Sequence, residues 1–255
     1  MPFFVYITID DGRVAIGKTH LSRGLEKYNQ FKKPSKTELI WIGKKIVRKI
    51  DLEKAISKIE PHPTPKAHLE QYTIPPVTAA EILYIATYIY DDVINKTVVD
   101  LGCGTGRLTI GAALLGARET LGVDVDKMAV NVARKNAERM NLKRKTHWIT
   151  ADIDVVRGAF DTVLQNPPFG VQRRRADRKF VKKSLELGRI VYSLHKSGNS
   201  NREFIKRFIE RHGGKVTGMF PMKMDIPKLF EFHTKRKHTL QADLYRIEGR
   251  AYESV

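Results

Sequence analysis

The sequence predicts an α/β fold in which a seven-stranded, mostly parallel sheet is covered by helices on both faces. From about residue 68, short apolar runs typical of strands alternate with segments that carry apolar residues at helical spacing. Such alternation indicates βαβ units, whose crossover helices bury both faces of a parallel sheet. Two late strands close together in the sequence fit a sheet whose last strand is inserted antiparallel.

Each element of this region follows from its local pattern. The predicted strands are residues 97–99, 120–123, 147–149, 161–164, 190–193, 215–220 and 242–247. The predicted helices are residues 77–90, 107–115, 127–140, 179–187 and 201–212. Most consecutive strands are separated by one helix, as the crossover between parallel strands requires.

Residues 1–50 are predicted to form a small, basic α+β unit of their own. Its expected elements are strands over residues 4–9, 14–16 and 39–42 and a basic helix over residues 20–31. Asp11-Gly12 is a hairpin signal because glycine tolerates positive φ. Residues 51–67 are rich in proline, which fixes φ and lacks a donor, and are predicted to be an extended linker. The main domain is therefore expected to span residues 68–255.

The charge balance indicates a polyanionic partner. Lys and Arg total 46 against 28 Asp and Glu, a net charge of +18. A solvated surface of a heat-adapted protein is the alternative, but so one-sided an excess favours nucleic acid. The single cysteine excludes a disulfide framework within the chain, and no metal is expected. No apolar run approaches ~20 residues and no leader pattern is present, so a cytoplasmic location is expected.

A glycine-rich turn follows the strand at residues 97–99. Its sequence is Asp100-Leu101-Gly102-Cys103-Gly104-Thr105-Gly106, and glycine lets a backbone approach a ligand closely. Its Gly-x-Gly-x-Gly pattern differs from the dinucleotide pattern Gly-x-Gly-x-x-Gly. Asp100 would repel phosphate and suits the cationic amino group of S-adenosylmethionine, the predicted cofactor, on a class-I (Rossmann-like) methyltransferase sheet. Cys103 is expected to be only a small turn residue, because no histidine motif accompanies it.

Acids at the ends of later strands are further candidate cofactor contacts. Asp124, which Val125 follows, can accept both ribose hydroxyls, although a strand-end acid or a helix cap is also open. Asp126 is predicted to cap the next helix. Asp152, in Ala151-Asp152-Ile153, can accept the adenine amino group or be an ordinary turn residue.

The run Asn166-Pro167-Pro168-Phe169 follows another predicted strand and points to a planar amine as acceptor. The lone pair of such an amine is delocalised into its ring, so the enzyme must hold it in line with the methyl group. The Asn166 side chain and the Pro167 carbonyl can accept its two hydrogens, and Phe169 can stack the base. Together with the charge, the motif predicts methyl transfer to an amino group of a nucleic-acid base.

Two basic clusters are candidate RNA contacts. The first contains Arg173, Arg174, Arg175, Arg178 and Lys179, and the second contains His233, Lys235, Arg236, Lys237 and His238. The first is expected to grip phosphates beside the target base, and it is also compatible with a loop that orders only with RNA. For the second, a solvated tip and a contact surface both stay open.

Several short runs between about residues 66 and 248 occur together in one enzyme family. They are Leu69-Glu70-Gln71-Tyr72, Asp100 to Gly106, Asn166 to Gly170, Tyr192-Ser193-Leu194-His195-Lys196-Ser197, and Phe232-His233 with Asp243-Leu244. The Asn-Pro-Pro-Phe run is shared with other amino methyltransferases, whereas the Tyr-Ser-Leu-His-Lys-Ser run is much narrower. On these residues the chain resembles the archaeal form of the methyltransferase-like-five family of ribosomal-RNA N6-adenosine methyltransferases.

The resemblance implies S-adenosylmethionine as donor, an adenosine of small-subunit ribosomal RNA as acceptor, and a small zinc-binding activator protein that adds a strand to the sheet. The implied cofactor contacts are Gln71, Tyr72, Thr73, Asp100, Gly102, Cys103, Gly104, Thr105, Gly106, Asp124, Val125, Ala151, Asp152, Ile153 and Asn166. The base is held by Asn166 to Phe169, and His195 and Lys196 are implied RNA contacts. The family usually has Pro-Thr where Thr73-Ile74 stands here, so the threonine contact expected at position 74 is either lost or moved to Thr73.

Residues 1–50 lie outside that family's core. Val5-Tyr6-Ile7 and Ile16-Gly17-Lys18-Thr19 faintly resemble a GIY-YIG nuclease domain, but Ala15 stands at its second tyrosine position. Residues 1–66 hold 14 Lys and Arg against seven Asp and Glu, which favours an accessory module that docks RNA.

Two other functions of the main domain are compatible with the sequence. A guanine-N2 or protein-glutamine methyltransferase would use a related Asn-Pro-Pro-aromatic turn. A catalytically dead RNA-binding or assembly protein would have no physical need for Asp100, Asp124 and Asn166 together.

Overall fold

The computed structural model describes residues 3–10, 13–20, 40–41, 44–45, 47–66, 70–71, 73–169, 176–227 and 237–249. Side chains are described from residue 47 onward, except at residues 176, 226–227 and 237–238. The chain divides into two units, Met1–Ile46 and Val47–Val255.

The first unit contains two antiparallel strand pairs. Strands β1 (Phe3–Asp10) and β2 (Arg13–His20) pair so that Asp10 lies opposite Arg13. This register confirms the predicted two-residue hairpin. Strands β3 (Ile40–Trp41) and β4 (Lys44–Lys45) form a shorter pair, in which β3 lies within the predicted third strand and β4 follows it. The basic helix predicted for residues 20–31 lies, beyond His20, outside the described residues.

In the second unit the described residues form one mixed sheet. Its strands are β5 (Thr97–Leu101), β6 (Glu119–Asp124), β7 (Thr146–Thr150), β8 (Phe160–Gln165), β9 (Gly188–Lys196), β10 (Lys215–Pro227) and β11 (Lys237–Glu248). Their spatial order is β10-β11-β9-β8-β5-β6-β7, and β11 runs antiparallel to both of its neighbours. The predicted seven-stranded class-I sheet with a late antiparallel strand is confirmed.

Helices accompany the parallel strands. They are α1 (Lys49–Ser57), α2 (Pro76–Tyr84), α3 (Arg107–Leu114), α4 (Lys127–Arg139), α5 (Ala176–Leu187) and α6 (Asn199–Arg211), with a π-helical turn at Ile85–Ile89 and a 3-10 turn at Ile153–Val155. Wherever the structure describes a helix, it is too short or too polar to span a bilayer.

Helix α1 occupies most of the first part of the segment predicted as a linker. Its Leu52 and Ile56 are buried in the core of the second unit. Gly111 makes this packing possible, because a Cβ there would lie 2.3 Å from Leu83 and 3.2 Å from Ile56. The backbone of Glu60 is bonded in both directions to the Asn136 side chain, at 3.1 and 3.2 Å. The linker prediction is therefore corrected: residues 47–60 begin the main unit, because apolar residues one helical turn apart bury there.

A buried polar cluster joins strands β9 and β11 to the segment before β5. The Asp92 carboxylate accepts hydrogen bonds from the Tyr192 hydroxyl at 2.6 Å and from Arg246 Nε at 2.8 Å. The Arg246 guanidinium also lies 4.4 Å from the centre of the Tyr90 ring. The charges are thus paired and hydrogen-bonded, as buried charges must be to offset the loss of hydration.

Candidate cofactor and acceptor site

The glycine-rich turn connects β5 to α3 at the carboxyl end of the sheet, where ligands bind in open α/β folds. Gly104 and Gly106 have φ of 52° and 90°, in the left-handed region that favours glycine. A Cβ on Gly104 would meet nothing within 4 Å, whereas one on Gly106 would lie 2.6 Å from the Trp148 ring. Gly106 therefore lets the Trp148 ring pack under the turn, and Gly104 leaves the backbone open to a ligand.

A cavity opens beside this turn and brings together most of the predicted cofactor residues. Its lining includes Gln71, Thr73, Asp100, Gly102, Cys103, Gly104, Thr105, Asp124, Val125, Asp152, Ile153, Asn166 and Pro168. Ala151 lies nearby in sequence and donates its backbone N–H to the Asp124 carbonyl at 2.9 Å. Other residues that no sequence motif assigned to the cofactor also line the cavity, among them His62, Glu70, Arg107, Lys179 and Phe180.

Asp100 is only 2% exposed and presents one unsatisfied oxygen in this cavity. Its Oδ2 accepts hydrogen bonds from the Thr109 backbone at 3.1 Å and hydroxyl at 2.7 Å. Its Oδ1 has no hydrogen-bond partner within the described part of the chain. Burial, together with the charge of Asp124, raises the pKa of Asp100 to about 7. A cationic group bound here would supply the missing partner, which fits the ammonium of S-adenosylmethionine.

Asp124 ends β6 with its carboxylate fixed at the turn. Its two oxygens accept hydrogen bonds from the backbone N–H groups of Gly104 and Asp126, both at 2.9 Å. Burial raises the pKa of this carboxyl. Each oxygen keeps further lone-pair capacity, so the residue suits a pair of ribose hydroxyls.

Asp126 caps α4 as predicted, because its carboxylate accepts a hydrogen bond from the Met128 N–H at 2.9 Å. It also binds the segment before α2: Gln71 Nε2 lies 2.9 Å and Lys66 Nζ 3.0 Å from its Oδ2. Burial opposes ionisation, but these partners hold the pKa of Asp126 well below its usual range. The carboxylate therefore fastens Gln71 at the edge of the cofactor cavity.

Lys179 was predicted to contact RNA phosphates; the structure pairs it with carboxylates of the cofactor cavity, and an RNA contact stays a prediction. Its ammonium lies 2.6 and 2.8 Å from the two Asp152 oxygens and 3.0 Å from Asp154. The backbone N–H of Asp154 and then Lys179 hold the pKa of Asp152 below its usual range. The lysine charge is already paired, so Lys179 shapes the cofactor cavity.

The Cys103 thiol is buried, and burial raises its pKa well above the ordinary value. It is therefore protonated and a poor nucleophile near neutral pH, in agreement with its expected role as a small turn residue.

The acceptor turn leaves the end of β8, directly beside the cofactor turn. Asp100 pairs with Leu164 and Leu101 with Gln165 in the parallel register of β5 and β8. Asn166 and Pro168 line the cofactor cavity, whereas Phe169 lines a second cavity. Two neighbouring strand ends thus place the acceptor turn next to the cofactor turn.

Buried hydrogen bonds support this turn from below. The Gln165 side chain donates to the Ser193 hydroxyl at 2.9 Å, and that hydroxyl lies 2.7 Å from His195 Nε2. His195 is only 2% exposed and packs edge-on against Tyr245. Burial lowers the pKa of His195 to about 4, so the imidazole is neutral near pH 7, and its predicted contact with RNA stays a prediction.

The other predicted RNA contacts are placed as follows. Lys196 is exposed at the end of β9, and the Arg178 guanidinium lies 4.4 Å from the centre of the Phe204 ring. Tyr72, Arg173, Arg174, Arg175, Lys235 and Arg236 lie outside the described residues, and of Lys237 only the backbone is described.

Known proteins of similar sequence show which family this chain belongs to. The family description "Ribosomal protein L11 methyltransferase" matches residues 78–167, which run from α2 through the cofactor turn to Pro167. The rRNA N(6)-adenosine-methyltransferase METTL5 of Danio rerio is 34% identical over 203 residues, covering 77% of this chain and 97% of that protein. An uncharacterized protein of Methanocaldococcus jannaschii is 37% identical over 222 residues, covering 82% and 98%.

A solved structure extends the similarity to the fold. The crystal structure of a candidate RNA methyltransferase from Pyrococcus horikoshii superposes with a TM-score of 0.75 at 40% identity. The superposed region covers 80% of this chain and 98% of the Pyrococcus horikoshii chain. The shared part corresponds in length to the second unit with its cofactor and acceptor turns. On this sequence identity and coverage, the chain belongs to the METTL5 family of class-I, S-adenosylmethionine-dependent methyltransferases.

Proposed function

We propose that this protein transfers a methyl group from S-adenosylmethionine to the N6 amine of one adenosine in small-subunit ribosomal RNA. Relatives named as rRNA N6-adenosine methyltransferases support the acceptor atom. The net charge of +18 supports a polyanionic substrate.

One observation carries the proposal: the acceptor turn and the cofactor turn share a single cavity. Asn166 and Pro168 line it together with Asp100 and Asp124. A methyl donor held by the two acids would therefore be adjacent to an amine held by the Asn-Pro-Pro-Phe turn. Such proximity converts methyl transfer into an effectively intramolecular step.

The turn supplies the chemistry that an aromatic amine requires. The Asn166 side-chain carbonyl and the Pro167 backbone carbonyl accept the two N6 hydrogens, which favours a pyramidal nitrogen with its lone pair available. Phe169 stacks the adenine, an interaction worth ~1–3 kcal/mol. S-adenosylmethionine, when bound, supplies a methyl group on a sulfonium that is a good leaving group. The protein then contributes mainly position and orientation.

Three acids are assigned to the cofactor. Asp100 pairs with its ammonium, Asp124 accepts its ribose hydroxyls and Asp152 accepts the adenine amino group. Each carboxylate lines the cavity and is fixed by at least one backbone N–H.

The pH dependence of cofactor affinity tests the role of Asp100. The pKa of Asp100 is about 7, so its carboxyl is mostly protonated below that pH. Pairing with an ammonium needs the carboxylate, so binding must release a proton, and the affinity must fall as the pH falls. We expect the Kd to weaken by up to about tenfold between pH 7 and pH 6. Calorimetry in two buffers with different ionisation enthalpies measures both the Kd and the released proton.

Asp100→Asn is the matched control, because the amide keeps the shape and an acceptor for Thr109. Its Kd should be weaker at pH 8 and nearly independent of pH. A pH profile identical to that of the unsubstituted protein would contradict the assignment.

The function itself is tested by methyl transfer from labelled S-adenosylmethionine to small-subunit RNA that lacks the mark, followed by digestion to nucleosides. Label in N6-methyladenosine is the expected result. Label in N2-methylguanosine or in protein glutamine would instead support a guanine-N2 or a protein-glutamine methyltransferase. Cofactor binding without any transfer, with the activator present, would support a dead RNA-binding protein.

We also propose that the small zinc-binding activator adds its strand at β7. Within the described sheet, β7 and β10 are the edges. Strand β10 contains Pro221 and Pro227, which cannot donate to an added strand and are typical of protected edges. Strand β7 contains no proline, and Ile149 on it is 43% exposed. Val155, shortly after β7, is 63% exposed and extends the apolar character of this region.

Ile149→Lys should therefore weaken activator binding by at least about tenfold in calorimetry, because a lysine would have to be desolvated at the interface. Met219→Lys, at a 42% exposed residue of β10, is the control and should bind normally. Equal effects of the two substitutions would argue against the β7 edge.

A further inference from the structure

A second cavity lies on the other side of the acceptor turn. It is lined by Phe169, Asp177, His195, Lys196, Ser197, Gly198, Asn199, Ser200 and Asn201, and its volume is about 340 Å³. Phe169 is the last residue of the turn whose Asn166 and Pro168 line the cofactor cavity. The four-residue turn therefore contributes to two cavities at once.

The groups lining this cavity differ from those of the cofactor cavity. Lys196 is exposed and forms no ion pair with the residues that the structure describes, so its charge is available to a ligand. This contrasts with Lys179 of the cofactor cavity, whose ammonium is neutralised by Asp152 and Asp154. An unpaired ammonium at a cavity favours an anion.

His195 contributes a neutral hydrogen-bonding group. Gln165 Nε2 can only donate to the Ser193 oxygen, so the Ser193 hydroxyl can direct its own hydrogen to His195 Nε2. A neutral imidazole that accepts at Nε2 carries its proton on Nδ1. No described residue accepts from Nδ1, although the ring lines the cavity. In this arrangement the imidazole has its proton on Nδ1, which leaves a donor for a ligand.

We propose that this cavity binds the ribose and phosphate of the acceptor nucleotide, with its phosphate on Lys196, its ribose beside His195 and its base against Phe169. The inference rests on the proposed function, because the ribose and phosphate belong to the same nucleotide whose amine is proposed to lie at Asn166. The first-turn amides of α6 at Asn199 to Asn201 lack helical partners and add donors on the same side as Lys196.

Asp177 also lines the cavity, and its carboxyl would repel a phosphate. Burial raises the pKa of Asp177 above its ordinary value. A carboxyl suits a ribose 2′-hydroxyl, which can donate to it. A mixed cavity with one lysine and one acid matches a sugar-phosphate unit better than it matches an isolated anion.

A charge-coupling experiment tests the contact. Once the methylated adenosine has been mapped, two short RNAs are made in which the linkage on its 5′ or its 3′ side is a neutral methylphosphonate. The nucleotide before that linkage carries 2′-deoxyribose, in these RNAs and in matched phosphate RNAs, so that the neutral linkage is stable. The value of kcat/KM is measured for the full chain, with the activator wherever it is required, and for Lys196→Gln.

We expect Lys196→Gln to lower kcat/KM about tenfold on phosphate RNA, as loss of a hydrogen bond to a charged group predicts. On one of the two neutral-linkage RNAs the same substitution should have less than about a twofold effect. Lys206→Gln, at an exposed position of α6 outside the cavity, makes the same change in net charge. Its effect on kcat/KM should be equal on all of these RNAs.

Two outcomes would overturn the inference. One is an equal loss for Lys196→Gln on phosphate RNA and on both neutral-linkage RNAs, with N6-methyladenine still formed; the proposed function would then stand without this contact. The other is absence of N6-methyladenosine at the mapping step, from all-ribose RNA with the unsubstituted protein and the activator, in which case the proposed function falls as well.

Discussion

Replacing Asn166 with alanine is expected to lower kcat for N6-methyladenosine formation about a thousandfold, while the Kd for S-adenosylmethionine changes by less than about threefold. The side-chain carbonyl is needed when the nitrogen becomes pyramidal and gains positive charge, so its loss affects the transition state more than the bound cofactor. In the proposed arrangement the cofactor contacts are mainly Asp100, Asp124 and the glycine turn, which line one cavity. Single-turnover kinetics with saturating RNA measure the first quantity, and calorimetry measures the second.

Asn131→Ala, at an exposed position of α4, provides the control for a general effect of removing an amide. It should leave both quantities unchanged. The assignment of Asn166 would be refuted by a variant that retains a tenth of the normal kcat. A matching loss of cofactor affinity would show instead that the residue acts in cofactor binding.

Asp92→Ala is expected to lower the free energy of unfolding by about 3–5 kcal/mol, the cost of breaking a buried ion pair on one side. The substitution leaves the Arg246 guanidinium buried without its carboxylate and the Tyr192 hydroxyl without its acceptor. Burial, and then proximity to Asp92, raise the pKa of Tyr192, so this hydroxyl stays protonated and donates to Asp92. Urea unfolding followed by circular dichroism measures the change.

Two further variants sharpen this result. Glu203→Ala breaks the exposed Glu203–Arg207 pair of α6 and should change stability by less than about 0.5 kcal/mol. The double variant Asp92→Leu with Arg246→Met removes both charges and should recover part of the loss. If Asp92→Ala proved as stable as Glu203→Ala, the buried cluster would not stabilise the fold.

The sheet and the strand-end acids were predictable because both follow from local periodicity. Apolar runs separated by helical segments specify parallel strands, and parallel strands bring their carboxyl ends to one edge. Asp100, Asp124 and Asn166 therefore meet at one cavity although they are far apart in sequence. Helix α1 was missed because the prolines after it dominated the pattern, although Leu52 and Ile56 are spaced for a buried helical face.

What the sequence could not predict at the site is the state of its charged groups, which depends on tertiary surroundings. Lys179 was assigned to RNA because basic residues follow the acceptor motif in sequence, and His195 because of the family resemblance. The fold pairs Lys179 with two carboxylates and buries His195 in a neutral form. The contact of Lys66 with Asp126 spans the chain from before α2 to α4 and has no local signature.

The packing of Trp148 against Gly106 gives the protein an optical property. An indole in van der Waals contact with the cofactor turn emits according to the polarity and rigidity of that turn. The chain contains two tryptophans, and the other, Trp41, lies in the first unit. A Trp41→Phe protein would therefore carry a single intrinsic fluorophore, located between the cofactor turn and the β7 edge, without any attached dye.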